Sequence, residues 1–314
     1  MPTLDYFVVD VFTAEPLAGN PLAVVLNTCG LRTEQMQAIA REFNLSETTF
    51  IERRAEATER AEGVRVRIFT TQEELQFAGH PTLGTASVLK MLAPETFEGD
   101  TVTLKENVGP IPVRFDLRAE GSTHAEGSRG GGSAGFFGEM TQRDPEFGAE
   151  LDRGVVARLA GLQPDDLDSD LPPQVISTGT AFAIVVLRSV EALARLKVNQ
   201  EEATVWLRER GARWFYVLTA SPDQNEHGTK CYRARMQFNG GEDPATGSAA
   251  GCAIAHLVAR DAVPAGARVH VRQGVEMGRP SDLFLSAKKE FARVKDVRVA
   301  GSTVLVAKGQ LFLP

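Results

Sequence analysis

The chain has 314 residues, 43% of them apolar and 24% charged, with a formal net charge of −7. A chain of that length and composition has room for two globular domains, with cores that need no disulfide or structural metal. The acidic balance argues against a nucleic-acid partner, and no apolar run reaches the length of a membrane span.

In the first half, alternating and β-branched residues predict strands over Tyr6–Phe12, Leu22–Leu26, Thr48–Glu52, Val64–Phe69 and Thr101–Lys105. Thr33 reads as the N-cap of a helix with Met36, Ile39, Ala40 and Phe43 on one face. Residues 119–135, rich in glycine and serine, read as a flexible surface loop, and Phe136 to Thr141 follows as a strand. In the second half, helices are predicted at Asp152–Gly161, Val190–Leu196 and Glu201–Arg210, the first ended by Gly161. Strands are predicted at Val175–Ser177, Phe182–Leu187, Trp214–Thr219, Tyr232–Phe238 and Val269–Arg272, with two more between Val297 and Leu313.

Cys29, Cys231 and Cys252 have no metal-ligand spacing. With no secretory signal at the N-terminus, they read as reduced thiols of a cytoplasmic protein. His124, His227, His256 and His270 have no partner spacing and take no role.

The two halves carry related segments. Gly19-Asn20-Pro21-Leu22-Ala23-Val24-Val25 matches Gly179-Thr180-Ala181-Phe182-Ala183-Ile184-Val185. His80-Pro81-Thr82-Leu83-Gly84-Thr85-Ala86 matches Asp243-Pro244-Ala245-Thr246-Gly247-Ser248-Ala249 in the same order, at nearly the same offset. Such a pattern points to duplication. In the second pair a polar residue precedes Pro, and Pro suits the first helical turn because its missing N–H has no intrahelical role there. Asp243 then reads as an N-cap, with His80 in the equivalent place. Helices are expected over residues 81–92 and 244–259, apolar nearly all round and hence central in each half.

The start of a buried helix offers unpaired N–H groups and the positive end of the helix dipole. Two such starts could bind a small anion, most simply a carboxylate, aided by the hydroxyls of Thr82, Thr85, Thr246 and Ser248. Glycines Gly79, Gly84, Gly240, Gly241 and Gly247 would allow close approach to the backbone. On these residues alone, two capped core helices without a ligand explain the pattern equally well.

Five segments together resemble the phenazine-biosynthesis (PhzF-like) family: Gly19-Asn20-Pro21, Ser46-Glu47-Thr48-Thr49-Phe50, Phe77 to Gly84, Gly241 to Ala249, and Gln273-Gly274 with Gly278-Arg279-Pro280-Ser281. The resemblance implies an α+β protein of the diaminopimelate epimerase-like fold. It would have two similar α/β halves, each a curled, barrel-like mixed sheet around a central helix. The halves are expected at residues 1–142 and 143–302, with a terminal strand from 303 to 314 completing the first and the active site in the cleft between them.

The resemblance further implies an isomerase that uses no metal and no organic cofactor, and a homodimer. Glu47 would be the acid/base, with His80 and Asp243 as further catalytic groups. Ser248, Gly79, Gly247, Thr246 and Asn20 would bind a small carboxylate substrate. Burial would raise the carboxyl pKa of such a base toward the working pH. Two alternatives stand beside this reading. One is a carboxylate-binding protein of the same fold without turnover. The other is an epimerase or racemase, although related epimerases place one cysteine at each helix start, where this chain has Gly79 and Asp243.

Overall fold

A computed structural model describes residues 3–93, 100–115, 135–224, 229–238 and 240–313. The glycine-rich segment read as a surface loop falls outside them, apart from Gly135. The chain forms two compact units: residues up to Thr141 with the tail from Ala300, and Gln142–Val299.

The first unit contains strands β1 (Thr3–Val11), β2 (Asn20–Val25), β3 (Glu47–Glu52), β4 (Val64–Phe69), the short β5 (Glu74–Leu75), β6 (Thr101–Glu106), β7 (Gly109–Arg114) and β8 (Phe136–Thr141). Its helices are α1 (Thr33–Phe43), α2 (Glu56–Glu62) and α3 (Gly79–Leu92). The order β1-β2-β3-β4-β6-β7-β8 continues into the last strand of the chain, Arg293–Phe312. That strand pairs back with β1 and closes an eight-strand barrel. Two pairs are parallel, β2 with β3 through α1 and β4 with β6 through α3. Helix α3 is buried continuously from Gly79 to Leu89. It packs against β1, β2, β3, β6, β7 and β8, filling the barrel as its lack of a polar face predicts. Gly84 makes this fit possible, because a Cβ there would meet Leu22 Cδ2 at 2.7 Å and Val11 Cγ2 at 2.8 Å. The amphipathic α1 instead covers the outside, with Met36, Ile39 and Ala40 on Val25, Phe50 and Phe69.

The second unit contains β9 (Glu146–Glu150), α4 (Arg153–Ala160), β10 (Gln174–Ser177), β11 (Ala181–Leu187), α5 (Val190–Ala194), α6 (Gln200–Arg208), β12 (Phe215–Gln224) and β13 (Lys230–Arg235). The small hairpin β14 (Gln237–Phe238) and β15 (Gly241–Glu242) precedes α7 (Gly247–Ala259), β16 (Val269–Gln273) and β17 (Ser281–Glu290). The last strand, β18 (Arg293–Phe312), starts here and passes into the first unit. The order β18-β17-β16-β13-β12-β11-β10-β9 again holds two parallel pairs: β11 with β12 through α5 and α6, and β13 with β16 through α7. Helix α7 is buried from Gly247 to Val258. The duplication seen in the sequence is thus a duplication of strand–helix–strand topology.

Several boundaries differ from the sequence reading. Arg32, not Thr33, is the N-cap of α1, because Gln35 Oε1 accepts the Arg32 N–H at 3.0 Å and draws Thr33 into the helix. His80 is likewise no cap: α3 begins at Gly79, and its first i→i−4 bond runs from Thr82 N–H to the Ala78 carbonyl. Pro81 lies inside that first turn, where a missing N–H costs no intrahelical bond. Asp243 is not the cap of α7, which starts at Gly247 after Thr246. The segment from Asp243 to Thr246 is held by side chains instead. The tail forms one strand of twenty residues rather than two, with a register shift opposite Val8 and Val9. The strand expected at Tyr232–Phe238 breaks at Met236.

Candidate active site

In the first unit three of the expected site residues come together. Glu47 opens β3, and its register partner Leu22 lies two residues beyond Asn20 on β2. His80 sits in the first turn of α3. Its Nε2 is 3.4 Å from Glu47 Oε2, and its Nδ1 is 3.1 Å from the Asn20 amide nitrogen. Asn20 is fully buried, His80 is 4% exposed and the Glu47 side chain retains 16% exposure, so one carboxylate oxygen of this cluster can meet a ligand. Burial pushes the imidazole down to about 3, against a smaller raising effect of the Pro21 carbonyl. His80 is therefore neutral at neutral pH, and its 3.4 Å approach to Glu47 is a close contact between a neutral ring and a carboxyl group rather than an ion pair, without the geometry of a hydrogen bond. A neutral ring that accepts the Asn20 amide N–H at Nδ1 carries its one proton on Nε2, the nitrogen nearest the Glu47 carboxyl group. The adjacent Gly79 and His80 N–H groups have no intrahelical acceptor.

Beneath the same helix start lies a residue that the sequence reading passed over. Glu106 ends β6 on the inward-facing row of Val102 and Leu104, and it is 1% exposed. Its Oε1 is 2.6 Å from Thr82 Oγ1, which also reaches the Ala78 carbonyl at 2.7 Å. Burial raises this carboxyl to about 8, only partly opposed by the Thr82 hydrogen bond and by Arg65. At neutral pH Glu106 is a neutral acid. Only the alternation of β6 could have marked it, as a carboxylate at an inward position.

In the second unit Asp243, Thr246, Gly247 and Ser248 are all buried. Asp243 Oδ2 accepts from Thr246 Oγ1 at 2.6 Å. The fully buried amide of Gln273 clamps this segment. Its Nε2 donates to the Asp243 carbonyl at 2.8 Å and to Thr246 Oγ1 at 2.9 Å, and its Oε1 accepts the Thr246 N–H at 3.1 Å. Gly274 follows with φ +75°, and a Cβ there would lie 2.3 Å from the Arg279 carbonyl and 2.7 Å from that of Pro244. The Gln-Gly pair noted in the sequence is therefore the brace of the Asp243 segment. On the far side, Gln142 Nε2 donates to the Gly247 carbonyl at 2.9 Å, and Thr178 Oγ1 donates to Gln142 Oε1 at 2.6 Å. Cys252 is fully buried, and desolvation pushes its thiol up to about 12, which leaves it an inert core residue.

The repeat also shows what the second unit lacks. Ala23 pairs with Thr48 in the first unit, and its counterpart Ala183 pairs with Phe215 in the second. The position equivalent to Glu47 is therefore Trp214, whose ring lies 5.9 Å from Phe182 and under the Arg213 guanidinium. Asn20 corresponds to Thr180 and His80 to Asp243. Only the first copy has a carboxylate at the start of that strand. Among the described residues no group of three His, Cys, Asp or Glu side chains is arranged to hold a metal ion, and no helix is long and apolar enough to cross a membrane.

Comparison with known proteins identifies the family. The family model described as "Phenazine biosynthesis-like protein" matches residues 9–309. An isomerase of Mesorhizobium japonicum is 35% identical over the whole of both chains. The trans-2,3-dihydro-3-hydroxyanthranilate isomerase of Pseudomonas aeruginosa is 33% identical over 98% of this chain and 99% of its own. The crystal structure of a PhzF-family phenazine biosynthesis protein of Bacillus anthracis superposes with a TM-score of 0.82, at 25% identity and full coverage of both chains. The chain belongs to the PhzF-like family of isomerases.

Proposed function

We propose that the protein shifts a proton between carbon atoms of a small carboxylic acid without a cofactor, and that Glu47 carries the proton. The observation that carries this reading is the Asn20–His80–Glu47 cluster, in which a neutral, buried imidazole held by Asn20 lies 3.4 Å from one largely buried carboxyl group that keeps some exposure. Such a carboxylate can remove a proton from one carbon and return it to another. A neutral His80 adds no charge to the site. Trp214 at the repeat-equivalent position supports a single carrier rather than the two opposed bases of a racemase.

Asp243 orients a polar group of the substrate, and Ser248, Thr246 and the N–H groups at Gly79 and Gly247 hold its carboxylate or a developing oxyanion. The P. aeruginosa relative's name supports a cyclic amino or hydroxy acid as the substrate class. The family resemblance supports a homodimer in the cytoplasm, which light scattering of the purified protein tests in part.

The test is an exchange screen. Amino and hydroxy carboxylic acids, cyclic dienes among them, are incubated with the protein in deuterated water and followed by proton NMR. Enzyme-dependent loss of a C–H signal is expected with at least one acid and should vanish in Glu47→Gln. The amide keeps the shape but carries no proton, so a fall of about 10²–10⁴-fold is expected. Binding without exchange would instead identify a carboxylate-binding protein. Exchange that survives Glu47→Gln at more than a tenth of the wild-type rate would pass the carrier's role to another residue.

A further inference from the structure

Away from the candidate site, three adjacent strands of the second unit bring together a thiol, an imidazole and a carboxylate. In the register of the sheet Cys231 pairs with His270, His270 with Phe284, and Arg272 with Asp282. The alternation of β16 and β17 sends Val269, Val271, Leu283 and Leu285 into the core and leaves His270, Arg272, Asp282 and Phe284 on the opposite face. His270 Nε2 is 2.7 Å from Asp282 Oδ1, and His270 Nδ1 is 3.7 Å from Cys231 Sγ. A parallel stack on Phe284, with ring centroids 4.9 Å apart and 13° between planes, fixes the ring between its two partners.

The tautomer follows from the partners. A carboxylate only accepts, so a neutral His270 must carry its proton on Nε2, toward Asp282. Nδ1 then presents a lone pair to the Cys231 thiol. A cysteine, a base within reach and a third group orienting the base make up the arrangement that activates a nucleophilic thiol. The Thr229 carbonyl, 3.5 Å from Sγ, competes for the thiol proton. Charged groups flank the cluster: Arg272 Nε lies 3.4 Å from Asp282 Oδ1, Arg268 covers the Phe284 ring, and Arg233, paired with Glu276 at 2.7 Å, is the register partner of Arg272. A single metal ion does not fit, because the two ring nitrogens face opposite partners.

We propose that His270 and Asp282 activate Cys231 as a site of oxidation by small hydroperoxides. With Cys231 only 6% exposed, the opening suits an oxidant of a few atoms rather than a bulky disulfide. Cys231 gives its proton to His270 Nδ1, and the thiolate attacks one oxygen of the hydroperoxide. The O–O bond breaks as the S–O bond forms. The departing oxygen takes the proton from His270 and leaves as water or an alcohol. The sulfur is oxidised to a sulfenic acid, the peroxide is reduced, and the imidazole returns to its starting form.

The experiment uses hydrogen peroxide as the probe: after a timed exposure catalase removes the peroxide, urea unfolds the chain, dimedone traps the sulfenic acid and peptide mass spectrometry assigns each cysteine. In native protein at neutral pH, Cys231 should label at least about tenfold faster than in the urea-unfolded chain. His270→Gln should remove that advantage, and Asp282→Asn should reduce it. Circular dichroism checks that the variants are folded. Should His270→Gln unfold, the pH profile of iodoacetamide alkylation at Cys231 in the wild type decides. A midpoint below the ordinary thiol range, about 8.5, supports the relay, and a midpoint at or above it overturns it. Native Cys231 that does not label, or that labels equally fast in wild type and His270→Gln, also overturns the proposal.

Discussion

His80 Nε2 stands 3.4 Å from Glu47 Oε2, and the imidazole that makes this contact is neutral. The contact depends on a second residue, Asn20, which holds the ring from its other side. Replacing Asn20 with alanine removes the group that assigns the ring proton to Nε2. The ring can then place its proton on Nδ1 and turn a lone pair toward the Glu47 carboxylate. Catalysis should fall by about tenfold, the equivalent of one hydrogen bond. The loss is expected in kcat rather than KM, because the proton carrier and not substrate contact is affected. Nitrogen-15 NMR of the imidazole should show the Nε2-H tautomer in wild type and a mixture in Asn20→Ala. A single unchanged tautomer in the variant would remove Asn20 from this role.

The first unit should have a flat-topped stability profile against pH. His80 has a folded value of about 3, below that of an unfolded histidine, so the unfolded state binds more protons between about 3 and 6.5. Stability from this group rises with pH across that window. Glu106 has a folded value of about 8, above that of an unfolded glutamate, so the native state binds more protons between about 4.5 and 8. Stability from this group falls with pH across that window. Each contributes a slope of about 1.4 kcal/mol per pH unit inside its own range. Together they give a rise from 3 to 4.5, a plateau to 6.5 and a fall to 8. Glu106→Gln should abolish the fall and leave the acid limb intact. Urea unfolding at half-unit pH steps measures both limbs, and an alkaline limb unchanged in the variant would count against a neutral Glu106.

Much of this was legible from the sequence where one local rule decides. Val64–Phe69 needed only alternation, and the helix ended by Gly161 needed only its cap, where φ is +70°. The central helices were marked by having no polar face. The start of α7 was misplaced because hydrogen bonds from a distant residue set it: Gln273 holds Asp243 to Thr246 out of the helix that Pro244 suggested. Strands β7 and β17 went unpredicted. The two prolines of β7, Pro110 and Pro112, obscure its pattern, and the polar end of β17 does the same. Cys231, His270 and Asp282 are far apart in sequence and meet only through sheet register, so no spacing could have joined them. Glu47 gave no signal of its own. Its place beside His80 depends on the parallel pairing of β2 and β3, and only the family resemblance marked it beforehand.

The core face of α7 predicts a severe effect at Gly251. A Cβ there would lie 1.9 Å from Gln142 Oε1, the oxygen that accepts from Thr178, while the same amide donates to the Gly247 carbonyl. Gly251→Ala must displace Gln142 and leave buried polar groups without partners, at about 1–3 kcal/mol. The start of α7 should loosen with it. Gly251→Ala combined with Gln142→Ala removes the clash and should restore part of the lost stability. Thermal unfolding of the single and double variants measures this, and a single variant as stable as wild type would show that the amide has room to move.

The brace behind Asp243 gives the most direct test of how that residue is positioned. Gln273 makes three hydrogen bonds to the segment Asp243–Thr246. Thr246 Oγ1, which receives one of them, passes its own proton to Asp243 Oδ2. Gln273→Leu keeps the approximate volume but leaves the Asp243 carbonyl and the Thr246 N–H without these partners, at about 1–3 kcal/mol for each buried group. Gln273→Glu keeps Oε1 as acceptor for the Thr246 N–H and loses the donor to the Asp243 carbonyl. If Asp243 orients the substrate, both variants should raise KM while the Asn20→Ala and Glu47→Gln variants lower kcat. Gln273→Glu should recover toward wild type as its carboxyl protonates at low pH, because the acid form again offers a donor. A purely structural role would lower stability in both variants and leave the KM of the folded fraction unchanged, with no recovery on acidification. Steady-state kinetics between pH 5 and 8 on the substrate found by the exchange screen, alongside urea unfolding, separates the two outcomes.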